Sequence, residues 1–279
     1  MNELILAVPV APEAVPLDMS SFLRSLGARL GRRVGLLPVP TYAGLARVVE
    51  EGQADLVWAP PLVALDLASW GTATVAAAVV RAGTTEYPSL LVTNRHGRFR
   101  DIADLVGARV AWVSRLSAAG HVVPRLYLDA MGLAPSMLGR QTFLQGHRPA
   151  LDAVVEGRAD VAASYGRLRR DGTLSLPHSD PSLSVLAVAG WVPSDVIMVS
   201  PRLVPDLGDA VGHALSRMTP DELAPLGPAF DTERFAVADD GHLDDLRALV
   251  ARARVSSVSS EPPRPQCSDS HQRAVDVSV

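Results

Sequence analysis

Apolar positions along the chain fall into two rhythms, short unbroken runs and stripes at helical spacing, and they alternate. The run LILAVPV at residues 4–10 predicts a strand, and residues 18–30 then carry Phe22, Leu23, Leu26 and Leu30 on one helical stripe that Gly31 closes. A strand is expected at 34–39. Thr41 can cap a helix with Leu45, Val48 and Val49 on its inner face, ending at Gly52. Leu56, Val57 and Trp58 form a short buried strand. Pro60 and Pro61 suit the first turn of the next helix, where a missing amide costs nothing. The β-branched stretch 74–80 reads as a strand, 81–88 as a polar turn and 89–93 as a strand.

The second half repeats the rhythm. A short helix is expected at 101–106, a central strand at 108–113, a helix at 120–131, a strand at 142–144, a helix at 148–156 and a strand at 161–163. Residues 167–181 form a polar excursion. Strand-like runs at 184–188 and 196–199 flank GWVPSD, and helices are expected at 207–218 and 243–254. From Ser256 the chain has serines, prolines and little to bury, which predicts disorder.

One stretch occurs twice. YAGLARVVEEGQADLVWA (42–59) lies over HRPALDAVVEGRADVAAS (147–164) without a gap at an offset of about 105, pairing Val49 with Val154, Gly52 with Gly157, Ala54 with Ala159 and Asp55 with Asp160. Each copy reads as helix, tight glycine turn and short strand, and the same offset brings the first strand near 108–114. The fold class expected is therefore α/β with two lobes, each a mostly parallel sheet flanked by helices, and a ligand cleft between them. The division expected is 1–84 plus 194–254 for lobe I, 85–193 for lobe II, and a disordered tail over 255–279.

Composition narrows the functions. With 26 Lys and Arg against 30 Asp and Glu the net charge is −4, and the arginines are scattered apart from Arg167, Arg169 and Arg170, so nucleic acid is not an expected partner. A single cysteine, Cys267 in the tail, excludes an intramolecular disulfide and a thiolate metal cluster. The amino terminus enters a strand without a basic and apolar leader, from which a cytoplasmic location is expected, or a periplasmic or extracellular one if a leader has been removed.

In parallel α/β units ligands meet the carboxyl ends of strands and the amino ends of the following helices. Asp55 and Asp160 begin their strands and are expected to cap turns at the far edge. Tyr42 and His147 open the two repeated helices and project toward the cleft, where unpaired amides favour an anion. SRLSAAGHVVP (114–124) has the same logic, with Ser117 as ligand contact or helix cap and small residues that admit a ligand to the backbone. Trp58, Tyr87 and Trp191 are placed to wall a pocket. No GxSxG, HExxH, Walker or GxGxxG pattern is present, His178 and His271 lie away from any core, and nothing in the spacing joins Ser117, His147 and Asp195 as a triad. No cofactor or metal is called for.

From residue 4 to 235 the sequence resembles the phosphate, phosphite and phosphonate substrate-binding proteins of ABC transporters, with the type 2 periplasmic-binding fold. The resemblance is carried by GQADLVWAPP after the Tyr42 helix, RAGTTEYPSLLV, DIADLVGARVAWVS, SAAG, VPRLYLDAMGL, the Gly146–His147 pair, EGRADV and VPSD. It implies that Tyr42 and Tyr87 line the cleft, that His147 binds an oxyanion oxygen, and that Asp195 faces the organic or amino end of a phosphonate. It also implies that the loop of Ser117, Ala118, Ala119 and Gly120 grips the anion. The family loop reads Ser-Thr-Ser-Gly, so two hydroxyl donors are absent here. A monomeric, non-catalytic binder of a small oxyanion is expected, working with an ABC permease or as a cytoplasmic sensor relative; the alternatives are a small cytoplasmic biosynthetic enzyme on the same fold or a protein-interaction module.

Overall fold

In the computed structural model, every residue is described except 1–2, 169–171, 178–179, 204–205 and 260–279. Arg169, Arg170, His178, Cys267 and His271 thus lie outside the described residues.

The first sheet forms early. Strand β1 (Leu4–Val8) leads through helix α1 (Met19–Leu30) to β2 (Val34–Pro38), α2 (Tyr42–Glu50), β3 (Leu56–Ala59), α3 (Pro61–Ser69) and β4 (Thr74–Val80). The chain then leaves for a second sheet, which takes β5 (Glu86–Asn94), β6 (Val110–Trp112), α4 (Val123–Ala130), β7 (Gln141–Phe143), α5 (His147–Val155) and β8 (Val161–Tyr165). A small hairpin, β9 (Arg167–Leu168) and β10 (Leu174–Ser175), precedes β11 (Leu183–Pro193). The chain returns through β12 (Val196–Val199), α6 (Asp206–Ser216), α7 (Pro220–Leu223), α8 (Gly227–Phe230), β13 (Arg234–Val237) and α9 (Asp244–Ser259).

The strand orders are β13-β4-β12-β3-β1-β2 and β11-β5-β8-β6-β7. Around β1 and around β6 the pairing is parallel, as crossover helices require; β12 and β5, each entering just after or before a crossing, are antiparallel to β3 and β8. The two sheets are thus the two α/β lobes read from the repeat, with mixed pairing at the seams.

Central strands are apolar throughout because both sheet faces are covered. Leu6, Val8, Leu56, Trp58, Ile197 and Val199 face α1 and α6, while their neighbours Ala7, Val57, Ala59, Val196 and Met198 face α2, α3 and α9. In the second sheet Val110 and Trp112 pack toward α4, and Ala111 and Val113 toward α5. The α2–α3 side of the first lobe's core also takes Ala118, Ala119, Val123 and Val192 from the second, so the lobes touch through apolar side chains.

The repeat is an identity of jobs. Gly52 and Gly157 both hold φ at 70°, a left-handed turn that favours glycine. Asp55 Oδ2 accepts from the Ile5 amide at 2.9 Å and Asp160 Oδ2 from the Arg109 amide at 2.8 Å, each tying the start of a lobe's central strand. Both aspartates are structural.

Several elements differ from expectation. The GWVPSD segment does not separate two strands: its first four residues belong to the 11-residue β11, which is bulged between Val185 and Ala187 and again between Val188 and Gly190. β13 is an edge strand that the sequence pattern does not announce, and α9 runs to Ser259, past the expected end at Arg254.

Candidate functional site

Between the sheets lies a cavity of about 970 Å³, a size suited to a small-molecule ligand. Its walls include Tyr42, Trp58, Tyr87, Ser117, Ala118, His147 and Asp195, gathered from both lobes. Two expected residues are not among them. Ala119 is buried behind the loop, its carbonyl accepting from Ser89 Oγ at 2.9 Å. Trp191 is 48% exposed on β11, because its neighbour Val192 points into the core and alternation sends Trp191 outward; as a wall of the cleft it is a correction.

Local sequence explains how these side chains reach the cavity. Thr41 Oγ1 caps α2 by accepting from the Gly44 amide at 3.1 Å, which makes Tyr42 the first helical residue. Ser117 Oγ accepts from the Gly120 amide at 3.0 Å and starts a π-helical turn, Ala118–Val122, that continues into α4. Ser117 is thus both cap and wall. His147 opens α5 with no side-chain cap before it, and Pro149 removes one early amide, so the free amides there belong to His147 and Arg148. Among the described residues three non-glycine ones hold positive φ, and all lie at or beside the cavity: Ala82 (50°) and Asp231 (44°) on its wall and Gln145 (56°) just before His147.

The charged groups form a chain of pairs. Arg81, just beyond β4, donates from Nη2 to Asp195 Oδ2 at 2.7 Å and to the Phe230 carbonyl at 3.1 Å, and from Nε to the Asp231 carbonyl at 3.1 Å. Trp58 Nε1 donates to the same Asp195 oxygen at 3.4 Å. Burial, the largest single effect, works against the Arg81 charge, but Asp195 with smaller contributions from Tyr87 and Asp231 holds the pKa above its ordinary value. Farther along, Arg167 Nε stands 2.7 Å from Asp231 Oδ2, and its guanidinium carbon lies 6.0 Å from the centre of the Tyr165 ring. Sequence reasoning missed Arg81, Tyr165, Arg167 and Asp231. For Arg81 a signal existed, since it follows the carboxyl end of a strand.

The uncharged donors are poised by the same surroundings. Burial, then Asp195 and Tyr165, push Tyr42 up to about 12, and burial with Asp195 puts Tyr87 well above its ordinary value, so both hydroxyls keep their protons. His147 packs edge-on against Tyr165 at 4.7 Å, and its Nδ1 is 3.2 Å from Ser164 Oγ. Burial lowers its pKa to about 4, against a smaller opposing pull from Asp195, so the ring is neutral at pH 7. The arrangement that leaves it a donor toward the cavity has Ser164 donating to Nδ1 and the ring proton on Nε2. Such a site offers amides, hydroxyls and a neutral imidazole to an anion. Ser164, the hydroxyl within hydrogen-bond distance of the imidazole, is fully buried and is not a wall of the cavity.

A sequence profile described as ABC transporter, phosphonate, periplasmic substrate-binding protein matches residues 6–243. The phosphonates-binding periplasmic protein of Escherichia coli (strain K12) is 24% identical over 246 residues, which span 86% of this chain and 72% of that one. Among solved structures, a binding protein component of an ABC phosphonate transporter from Pseudomonas aeruginosa superposes with a TM-score of 0.75 at 17% identity, over 95% of this chain and 90% of that one. PhnD1 of Prochlorococcus marinus in complex with methylphosphonate gives 0.71 at 16% identity, over 90% and 98%.

Proposed function

The chain belongs to the family of periplasmic substrate-binding proteins of phosphonate ABC transporters, and on that premise we propose that it holds a small oxyanion in the cavity between its sheets and delivers it to a permease. It is a binding protein and not an enzyme, as its family is. Membership also corrects the cytoplasmic expectation: the family is periplasmic. That expectation rests on the composition of the first residues alone, which decides nothing about export. No helix among the described residues is long and apolar enough to cross a membrane.

The observation that carries the reading is the meeting of two helix starts, at Ser117 and at His147, on one cavity with Tyr42 and Tyr87. The early amides of each helix have no partner within it, and their field favours negative charge. In the proposed complex the amide at Ala118, the Ser117 hydroxyl, His147 Nε2 and the two tyrosine hydroxyls share the anion's oxygens. Asp195 orients the site through Arg81. Residues 1–84 with 194–254 act as one lobe and 85–193 as the other, in a monomer that closes on its ligand.

Calorimetry of the full chain with phosphate, phosphite, methylphosphonate, aminoethylphosphonate and acetate tests this. At least one anion should bind at a single site and be recovered unchanged by mass spectrometry, and His147→Ala should weaken it about tenfold or more, the loss of one charge-assisted hydrogen bond. Absence of heat and of thermal stabilisation with every anion would overturn the proposal.

A further inference from the structure

A cavity that is to hold an anion has a carboxylate in its wall, and the two oxygens of that carboxylate are unequal. Asp195 Oδ2 accepts from Arg81 Nη2 at 2.7 Å and from Trp58 Nε1 at 3.4 Å. Asp195 Oδ1 takes no hydrogen bond from any described residue and is not buried away from solvent, so it opens on the cavity that Asp195 lines. The side chain as a whole is 22% exposed. An ionised oxygen held in this way can accept but has nothing to accept from.

What could donate to it is decided by charge. Arg81 already balances Asp195, so an ammonium entering the cavity would meet an ion pair and give up its hydration for little return. A hydroxyl has no charge to desolvate and needs only an acceptor. The groups that would hold the rest of the anion lie in the field of the same carboxylate: after burial, Asp195 is the first charge acting on Tyr42, on Tyr87 and on His147. A fully ionised oxyanion among them would set a bare oxygen against Asp195, whereas one that keeps a proton can point it there. The other charged or titratable groups nearby are engaged elsewhere or exposed. His242 Nε2 lies 3.3 Å from the Ser194 carbonyl, Asp231 stands 2.7 Å from Arg167, and Glu86 and Glu233 are exposed walls of the cavity.

We propose that Asp195 Oδ1 is a specificity-determining acceptor that selects an oxyanion carrying its own proton. The favoured ligand is a singly ionised phosphonate or phosphite, whose P–OH donates to Asp195 while the neutral donors and the helix amides take the remaining oxygens. The doubly ionised form is disfavoured, and so is a sulfonate, which has the same single charge but no hydroxyl. This rests on the anion-binding reading above and adds the protonation state of the ligand.

Calorimetry of the full chain from about pH 5.5 to 8.5 tests this, a window in which His147 stays neutral and Tyr42 stays protonated. The probes are methylphosphonate, chloromethylphosphonate and methanesulfonate. At pH 5.5 methylphosphonate should bind at least about tenfold tighter than methanesulfonate, one hydrogen bond to a charged acceptor being worth about that factor. Above its second ionisation its affinity should fall by about tenfold per pH unit, because only the singly ionised species is held. With chloromethylphosphonate, a stronger acid, the fall should begin at lower pH. Asp195→Asn, whose amide can turn a donor toward the cavity, should flatten the fall and bring methanesulfonate to within about threefold of methylphosphonate. Thermal melts establish that the variant is folded, and the wild-type profiles decide alone if it is not. Affinity for methylphosphonate that holds level or rises through the second ionisation overturns the inference, as does equal binding of methanesulfonate. So does a fall that starts at the same pH for both phosphonates, which would belong to a group of the protein. Aminoethylphosphonate bound tenfold or more tighter than ethylphosphonate would also overturn it, by giving Asp195 to an ammonium. In each of these cases an anion still binds and the anion-binding reading stands. If no phosphonate binds at any pH this inference falls, and if no other anion binds either, both fall.

Discussion

His147 couples the stability of the empty protein to pH with a predictable sign. Its folded pKa of about 4 lies below the unfolded value of 6.5, so the unfolded chain takes up the proton first and stability falls as pH drops between those limits. For a single group with these values the loss is about 1 kcal/mol at pH 5.5 and up to about 3 kcal/mol at pH 4. The upper figure is a ceiling, because the ring faces a cavity that water enters. A bound anion reverses part of the effect: an imidazolium beside it gains a partner, the pKa of His147 rises, and the complex loses less stability in acid than the free protein. The measurement is urea unfolding of the wild type and His147→Gln at pH 7.5, 5.5 and 4.5, with and without saturating ligand. The glutamine variant should show a shallower decline with falling pH by about 1 kcal/mol or more. If the two free proteins decline in parallel, His147 is not buried as described and its neutral-donor role falls with it.

Three further outcomes follow from the geometry. Ala118→Ser puts a hydroxyl on the cavity wall and should tighten phosphonate binding by about tenfold, whereas Ala119→Ser, behind the loop, should leave calorimetric affinity unchanged or lower it. Asp195→Asn strips Arg81 of its carboxylate; because that pair keeps some solvent exposure, the loss in urea unfolding should be about 2–3 kcal/mol, below that of a fully buried pair. Asp160→Ala should lower stability by about 1–2 kcal/mol through the lost bond to the Arg109 amide, without changing the affinity for any anion.

What the sequence reveals is what is local. Thr41 capping α2, the left-handed Gly52 and Gly157, and the turn aspartates Asp55 and Asp160 act within short spans or recur in the repeat, so pattern alone exposes them. Tyr42, His147 and Ser117 are legible for the same reason, each being a helix start after a strand. The partners that complete the cavity are not. Arg81 meets Asp195 across 114 residues and the carbonyl of Asp231 across 150, and no periodicity encodes such meetings. Arg167 sits in a two-residue strand that its polar surroundings disguise as loop. Trp191 misleads because an aromatic near a crossing looks like a pocket wall until the parity of β11 is known.

The two segments that carry the chain between the sheets are stitched to each other. The Val79 amide donates to the Asp195 carbonyl at 2.9 Å, and the Ser194 amide to the Thr85 carbonyl at 2.7 Å. Arg81 belongs to one segment and Asp195 to the other, and both are walls of the cavity. Under the closure proposed above, a charge arriving in the cavity meets the same ion pair that ties the two connecting segments together. Substitutions at Arg81 or Asp195 should then change ligand affinity and closure together.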